Sequence, residues 1–267
     1  MKENFKKFGG LRSKNIFKYS KLNNPLITII TVVKNNNVYF EQTIKSICKQ
    51  AYKNFELIVI DGNSTDGTLD IIKKYDKLKI IDFWISEPDS GIYDAFNKGL
   101  LFARGDLIGF VNSDDILLPN ALKTLVRYYR NYPNVDYIFG SVKKHWGVLH
   151  GLKPWKIRFT WGFYSSHSTG FFIKREAAKI IGPYNLRYKL SSDYDYFYRM
   201  IVKHNLKGVA TKKSEIFGIF RRGGFSSNIN FFDHLVECTR IRLDNKQNKI
   251  LVLLTFIIKF LFNIKRL

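Results

Sequence analysis

Hydrophobic and polar positions in the first half of the chain follow two periods in turn. Leu26 to Val33 (LITIITVV) is an apolar, β-branched run of strand length after Pro25, and Phe55 to Ile60 (FELIVI) repeats it. Lys79 to Trp84 and Asp106 to Val111 (DLIGFV) supply two further strands. Between the strands the spacing changes to threes and fours. Phe40, Thr43, Ile44, Ile47 and Cys48 fall on one side of a helix that the polar Lys34 to Asn37 stretch can cap. A second helix is expected from about Thr68 to Tyr75. Ile92, Ala95, Phe96, Gly99 and Leu100 mark a third within Gly91 to Phe102. The alternation predicts an α/β fold with a mostly parallel central sheet flanked by helices on both faces. Ligands in such sheets bind beyond the strand C-termini, where three acidic loops fall in this chain.

The second half is more mixed. Pro119 can start a helix that runs to about Tyr129. A strand at Asp136 to Val142 follows, then a Trp/Phe-rich stretch from Trp146 to Phe163 and a short strand at Thr169 to Ile173. A helix is expected from about Lys174 to Ile181, and another begins near Asp193. This half is expected to stay on the same sheet.

At 267 residues the chain has room for one large domain or a compact domain with additions. Its 44 Lys and Arg against 22 Asp and Glu give a net charge of +22. That charge favours anionic lipid, nucleotide or nucleic acid without choosing among them. No basic helix motif or aromatic RNA-binding strand motif is present, and the acids gather at strand ends, so specific nucleic-acid binding is not expected. Two cysteines, Cys48 and Cys238, make neither a disulfide framework nor a cysteine zinc site, which points to reduced thiols in the cytoplasm. Residues 1–24 form a basic, polar arm without an apolar signal core, expected to be flexible or docked on the surface. Ile250 to Phe262 (ILVLLTFIIKFLF) is too short for a membrane span of roughly 20 residues. Lys246, Lys249, Lys265 and Arg266 bracket it and Lys259 interrupts it. The pattern fits a helix lying in a membrane surface, or one docked on the protein's own core.

Asn112-Ser113-Asp114-Asp115 stands directly after a buried strand. Adjacent carboxylates there are costly if unpaired, and a divalent cation held with a diphosphate would compensate; a helix cap with a solvated turn is the alternative. In Asp61 to Gly67 (DGNSTDG) an exposed Asp61 could meet base or ribose donors, or the loop could be an ordinary turn. It lacks a P-loop's Gly-Lys-Ser/Thr end, and there is no GxGxxG for a dinucleotide. Within Glu87 to Asp94, Asp89 or Ser90 can cap the next helix, and Asp94 is the better candidate for holding donor or sugar. Asp193 can serve as a general base or as a helix cap. His167, in SSHSTG, could line an acceptor cleft or touch the diphosphate, and Arg221-Arg222-Gly223-Gly224 offers phosphate donors or a solvated turn.

ITVVKNN at Ile30 to Asn36, FELIVIDGNSTDGT at Phe55 to Thr68, ISEPDSGIYDAFNKG at Ile85 to Gly99 and GDLIGFVNSDD at Gly105 to Asp115 occur in that order. By these segments the chain resembles a family 2 glycosyltransferase of the GT-A fold, particularly the colanic-acid and O-antigen biosynthesis type, from Leu26 to about Ser226. The resemblance implies a nucleotide-recognition loop at Asp61 and a DxD position at Asn112-Ser113-Asp114, with Asp114 bonding Mn²⁺ or Mg²⁺ and Asp115 supporting the donor site. It implies Asp193 as catalytic base of an inverting transfer from a nucleoside-diphosphate sugar to a glycan or lipid-linked acceptor. Three positions depart from the usual pattern: Asn112 replaces an Asp, Gly62 a frequent second Asp, and Ser192 a frequent Glu. The implied organisation is a catalytic domain at 25–228, split into a nucleotide-sugar half at 25–115 and an acceptor half at 116–228. A helical, membrane-associated extension would occupy 229–267. The implied setting is cell-surface polysaccharide or lipopolysaccharide assembly at the cytoplasmic face of an anionic inner membrane. A noncatalytic assembly partner of the same fold, or a nucleotidyltransferase, would share many of these features.

Overall fold

The computed structural model describes residues 7–159, 168–221 and 230–263. Strand β1 (Lys7–Gly9) lies at a sheet edge. Then β2 (Ile27–Val33), α1 (Phe40–Cys48), β3 (Phe55–Asp61), α2 (Thr68–Lys77), β4 (Phe83–Ser86), α3 (Ile92–Phe102) and β5 (Leu107–Phe110) alternate. Every residue of β2 and β3 is buried, as parallel strands covered on both faces require. The two-residue period divides them. Ile30, Ile58 and Ile60 face a core shared with Phe96 of α3, while Ile29, Leu57 and Val59 face one shared with Phe40, Ile44 and Ile72 of α1 and α2.

The chain continues through β6 (Ile116–Leu117), α4 (Ala121–Asn131), β7 (Tyr137–Phe139), β8 (Ser141–Lys144) and β9 (Gly147–Leu149). It then forms β10 (Phe171–Lys174), α5 (Arg175–Ile181), α6 (Ser192–Tyr198), β11 (Gly208–Ala210), β12 (Ile216–Ile219), α7 (Phe231–Asp244) and α8 (Lys249–Phe262). The main sheet has the order β1-β4-β3-β2-β5-β10-β7-β11, and a smaller one runs β6-β12-β8-β9. Strands β4, β3, β2 and β5 are parallel, β1 and β10 antiparallel to their neighbours, and β11 parallel to β7.

The predicted α/β architecture is present, with three corrections. The strand expected at Asp136 to Val142 is two strands in different sheets. They part at Gly140, where a Cβ would overlap the Phe217 ring. The strand expected from Lys79 begins at Phe83, because Lys79 takes a left-handed φ of 58° at the end of α2 and Asp82 uses its side chain to accept the Leu57 N–H at 2.8 Å. The basic arm is neither loose nor merely laid on the surface in its described part. Lys7 to Gly9 pair with β4, Arg12 forms an ion pair with buried Glu56, and Lys18 Nζ lies 2.9 Å from buried Asp82. Those two acids need compensating charge, and the arm supplies it. Likewise α7 is part of the core, since Cys238 and Ile241 join the cluster of α3 and α6.

Candidate active site

Four parallel strands end on one side of the sheet, and the loops after them are bonded to each other. Asn35 donates its N–H to Ser64 Oγ and accepts the Thr65 N–H on its side chain, both at 2.8 Å. The Asn36 N–H meets Thr68 Oγ1 at 3.0 Å and the Asn37 N–H meets Asp66 Oδ2 at 2.9 Å. Asn35 and Asn63 take positive φ, 49° and 60°, a conformation Asn tolerates better than most residues. The asparagine run therefore clasps the DGNSTDG loop.

Asp61, at the end of β3, is fully buried, which corrects the expectation of an exposed carboxylate. It accepts bonds from the Ser64 N–H and hydroxyl, and from the Ser86 hydroxyl at 2.6 Å. A buried carboxylate must be satisfied, and the two serines do so. Here Asp61 shapes the loop and ties it to β4. Asp89 lies over Gly62, where a Cβ would overlap its carboxylate, and Lys34 Nζ is 3.9 Å from Asp89 Oδ1. Glycine at 62, in place of a second acid, thus makes room for Asp89.

After β5 the Asp115 N–H closes a turn onto the Asn112 carbonyl at 3.0 Å. Ser113 Oγ accepts from Asn36 Nδ2 at 3.0 Å, and its carbonyl accepts from Thr43 Oγ1 at 2.9 Å. Asp115 is fully buried, bonded by the Thr169 hydroxyl and, at 3.4 Å, by the Arg221 N–H. Burial pushes its pKa up to about 7, opposed by the Thr169 bond. Asp115 therefore pins the turn from behind. Asp114 differs. Its carboxylate is partly buried and has no hydrogen-bond or ion-pair partner among the described side chains; burial raises its pKa and the Arg221 charge opposes the rise. Beside it Asn112 Nδ2 donates to Ser168 Oγ at 2.9 Å, and Asn112 Oδ1 is buried without a partner among the described residues.

An uncommitted carboxylate with an orphaned amide oxygen fits a hard divalent cation that arrives with phosphate and water ligands. Among the described residues no three His, Cys, Asp or Glu side chains converge as a metal cage. The protein can thus offer Asp114 and Asn112 as a partial set for Mn²⁺ or Mg²⁺. Lys144, absent from the sequence-derived candidates, adds charge near Asp115; burial lowers its pKa, the Asp115 charge opposes this, and its amine sits 4.5 Å from the Phe220 ring centre.

The ISEPDSGIYDAFNKG segment joins this half to the next. Asp94 accepts the Ser90 N–H at 3.0 Å and lies 3.6 Å from Lys98, which also reaches Glu87 at 3.1 Å. Asp94, expected to hold donor or sugar, makes both of these contacts through Oδ2 in the first turn of α3. Asn97 pairs with both the carbonyl and N–H of Tyr184, at 2.9 and 2.7 Å. Tyr93 Oη lies 3.1 Å from Asp193 Oδ1 and 3.1 Å from the Leu190 carbonyl.

Asp193 sits in the first turn of α6 and also accepts the Tyr194 N–H at 2.9 Å. Burial raises its pKa; the Tyr194 and Tyr93 bonds oppose the rise, and the Glu237 charge adds to it. Its neighbour Asp195 is buried and engaged by Arg199 and Asn245, at 2.8 and 2.9 Å, whereas both Asp193 bonds fall on Oδ1. Glu237, missed in the sequence, holds the preceding loop. Its carboxylate accepts the N–H groups of Lys189, Leu190 and Ser191 at 2.9, 2.8 and 2.6 Å. No local sequence pattern sets it apart from Asp233 and Asp244 of the same segment. His145 and His150 are exposed around β9, while His167 and Gly223 to Ser226 lie outside the described residues.

Residues 28–197 match the family described as glycosyl transferase family 2. A PGL/p-HBAD biosynthesis glycosyltransferase of Mycobacterium tuberculosis is 30% identical over 183 residues, covering 64% of this chain and 68% of that protein. Among solved structures, S. aureus TarS superposes with a TM-score of 0.64 at 17% identity, over 82% of this chain and 39% of that chain. A TarS complex with UDP-GlcNAc gives 0.63 at 17% identity, over 88% and 72% of the two chains. A mannosyltransferase from Pyrobaculum calidifontis, in complex with GDP-Man and Mn²⁺, gives 0.65 at 14% identity over 96% of this chain and 81% of that one. At these identities the structures establish a shared GT-A fold.

Proposed function

The chain belongs to glycosyl transferase family 2, and from that premise we propose an inverting transfer of sugar from a nucleoside diphosphate to a hydroxyl of a glycan or lipid-linked saccharide. The neighbours solved with UDP-GlcNAc and with GDP-Man and Mn²⁺ support a nucleotide-sugar donor. The loops after β2 to β5 would hold it, with the diphosphate toward Asp114, Asn112 and Arg221. Asp114 and Asn112 would hold Mn²⁺ or Mg²⁺, which would supply charge neutralisation for the departing diphosphate.

The observation that carries the mechanism is Asp193: a carboxylate oriented by Tyr93 and the Tyr194 N–H in the first turn of α6, directly after a loop that Glu237 fixes. The acceptor oxygen attacks the anomeric carbon, its proton passes to Asp193, and the carbon–oxygen bond to phosphate breaks with its electron pair on the leaving nucleoside diphosphate. Attack opposite the leaving group inverts the anomeric centre. The acceptor's setting is the cytoplasmic face of a bacterial membrane, in assembly of a surface polysaccharide, lipopolysaccharide or O-antigen; the basic charge supports this.

Asp193→Asn tests the assignment. Turnover is expected to fall at least about 10²-fold with donor affinity within about twofold of wild type. Normal turnover by the variant would remove Asp193 from the role of base.

A further inference from the structure

Helix α8 is apolar on nearly every side, yet it buries only Val252 and Thr255. Its stripe of Ile250, Leu253, Leu254, Ile257, Leu261 and Phe262, spaced by threes and fours, is 43 to 86% exposed. On its other side Phe260 meets Phe232 of α7 at 6.4 Å between ring centres. A cleft of about 340 Å³ between the two helices adjoins the stripe; Phe231, Leu235, Ile258 and Phe262 wall it, with the polar His234 and Lys259 among them. A contiguous apolar face of this kind on a water-soluble surface needs an occupant. Exposed Lys246 and Lys249 stand at the start of the helix, and α8 contains no acid. Among the described residues no helix is long and apolar enough to cross a membrane.

We propose that this face of α8 docks in the plane of an anionic phospholipid leaflet, with its apolar stripe among the acyl chains and Lys246 and Lys249 at the headgroups. Charge selects this occupant: at +22 a second copy of the chain is repelled, whereas an anionic leaflet is attracted. Docking also serves the site. α7, packed on α8, holds the loop before Asp193 through Glu237, so the proposed base is tied to the membrane-facing element. This use rests on the lipid-linked acceptor reading, but the docking itself is measured without sugar.

Flotation of the full chain with phosphatidylglycerol-containing vesicles tests it, with pure phosphatidylcholine vesicles for comparison. Wild type is expected to float with the anionic vesicles and at least about tenfold less with the zwitterionic ones. Leu254→Glu with Ile257→Glu, at exposed positions, should reduce flotation at least about tenfold with circular dichroism and nucleotide-sugar binding unchanged. Lys246→Glu with Lys249→Glu should also reduce it, with the apolar stripe intact. Wild type that stays behind with anionic vesicles overturns the proposal, as does a double glutamate variant that floats normally. A wild-type dimer that the same variant makes monomeric, without vesicle binding, would assign the face to a contact between copies. Intact flotation by protein that binds no nucleotide sugar would support docking while overturning the transferase mechanism.

Discussion

At the residue scale, burial, the Tyr194 N–H, Tyr93 and Glu237 all act on Asp193, and the last two can be removed singly. Transfer requires its ionised form, so burial should place the acid limb of the rate profile above the ordinary carboxylate value of about 4. Tyr93 donates to the carboxylate and favours its charge. Tyr93→Phe should therefore raise the pKa and move the acid limb to higher pH. Glu237 contributes negative charge that disfavours ionisation, so Glu237→Gln should move the limb to lower pH. Single-turnover rates across pH check the pair, and shifts in one common direction would contradict this placement of charge. Glu237→Ala, which releases three N–H groups, should lower kcat at least about tenfold. Asp114 and Asp193 were legible as candidates because acids after strands and at helix starts are visible in one dimension. How Asp61 and Asp115 are bonded was not, since this depends on Ser86 and Thr169, brought near by folding. Glu237 was invisible for the same reason: its partners lie 46 to 48 residues away.

At the element scale, α3 serves as the joint between the two halves. Gly99 lets the helix lie directly on β2, since a Cβ there would overlap Ile30, while Tyr93 and Asn97 reach α6 and Tyr184. Gly99→Ala should cost about 1–3 kcal/mol, less the small gain in helix propensity, and a urea titration would register it. No loss would mean that α3 can shift without consequence. The helix–strand alternation of residues 26–111 was readable because buried parallel strands are continuous apolar runs and their helices have a distinct period. The antiparallel insertion of β10 and the transfer of the chain between sheets at Gly140 were not. Direction and sheet membership leave no local periodicity, and the packing of Phe217 on Gly140 is a long-range event.

At the scale of the whole molecule, part of the positive charge is structural. Lys18 and Arg12 balance Asp82 and Glu56 within the protein. Lys18→Met should destabilise by about 1–2 kcal/mol, a figure discounted because the lysine is about one-third exposed. Burial already raises the Asp82 pKa, so the folded state holds this proton to higher pH than the unfolded state does. Without Lys18 that difference widens, and the deficit should grow from about pH 5 to about pH 8. Chemical denaturation at the two values checks the sign. Composition alone could not separate such internal pairing from charge available to a membrane or a diphosphate.

The donor-site assignment unites these scales, and titration calorimetry of a nucleotide-sugar panel measures it most directly. Wild type and Asp114→Asn would be compared with Mn²⁺, Mg²⁺ or EDTA. Selective binding of one donor class is expected, weakened at least about tenfold by EDTA or by the substitution. Folded wild-type protein that binds no nucleotide sugar under any of these conditions, or binds equally well with EDTA and without the Asp114 carboxylate, would contradict it.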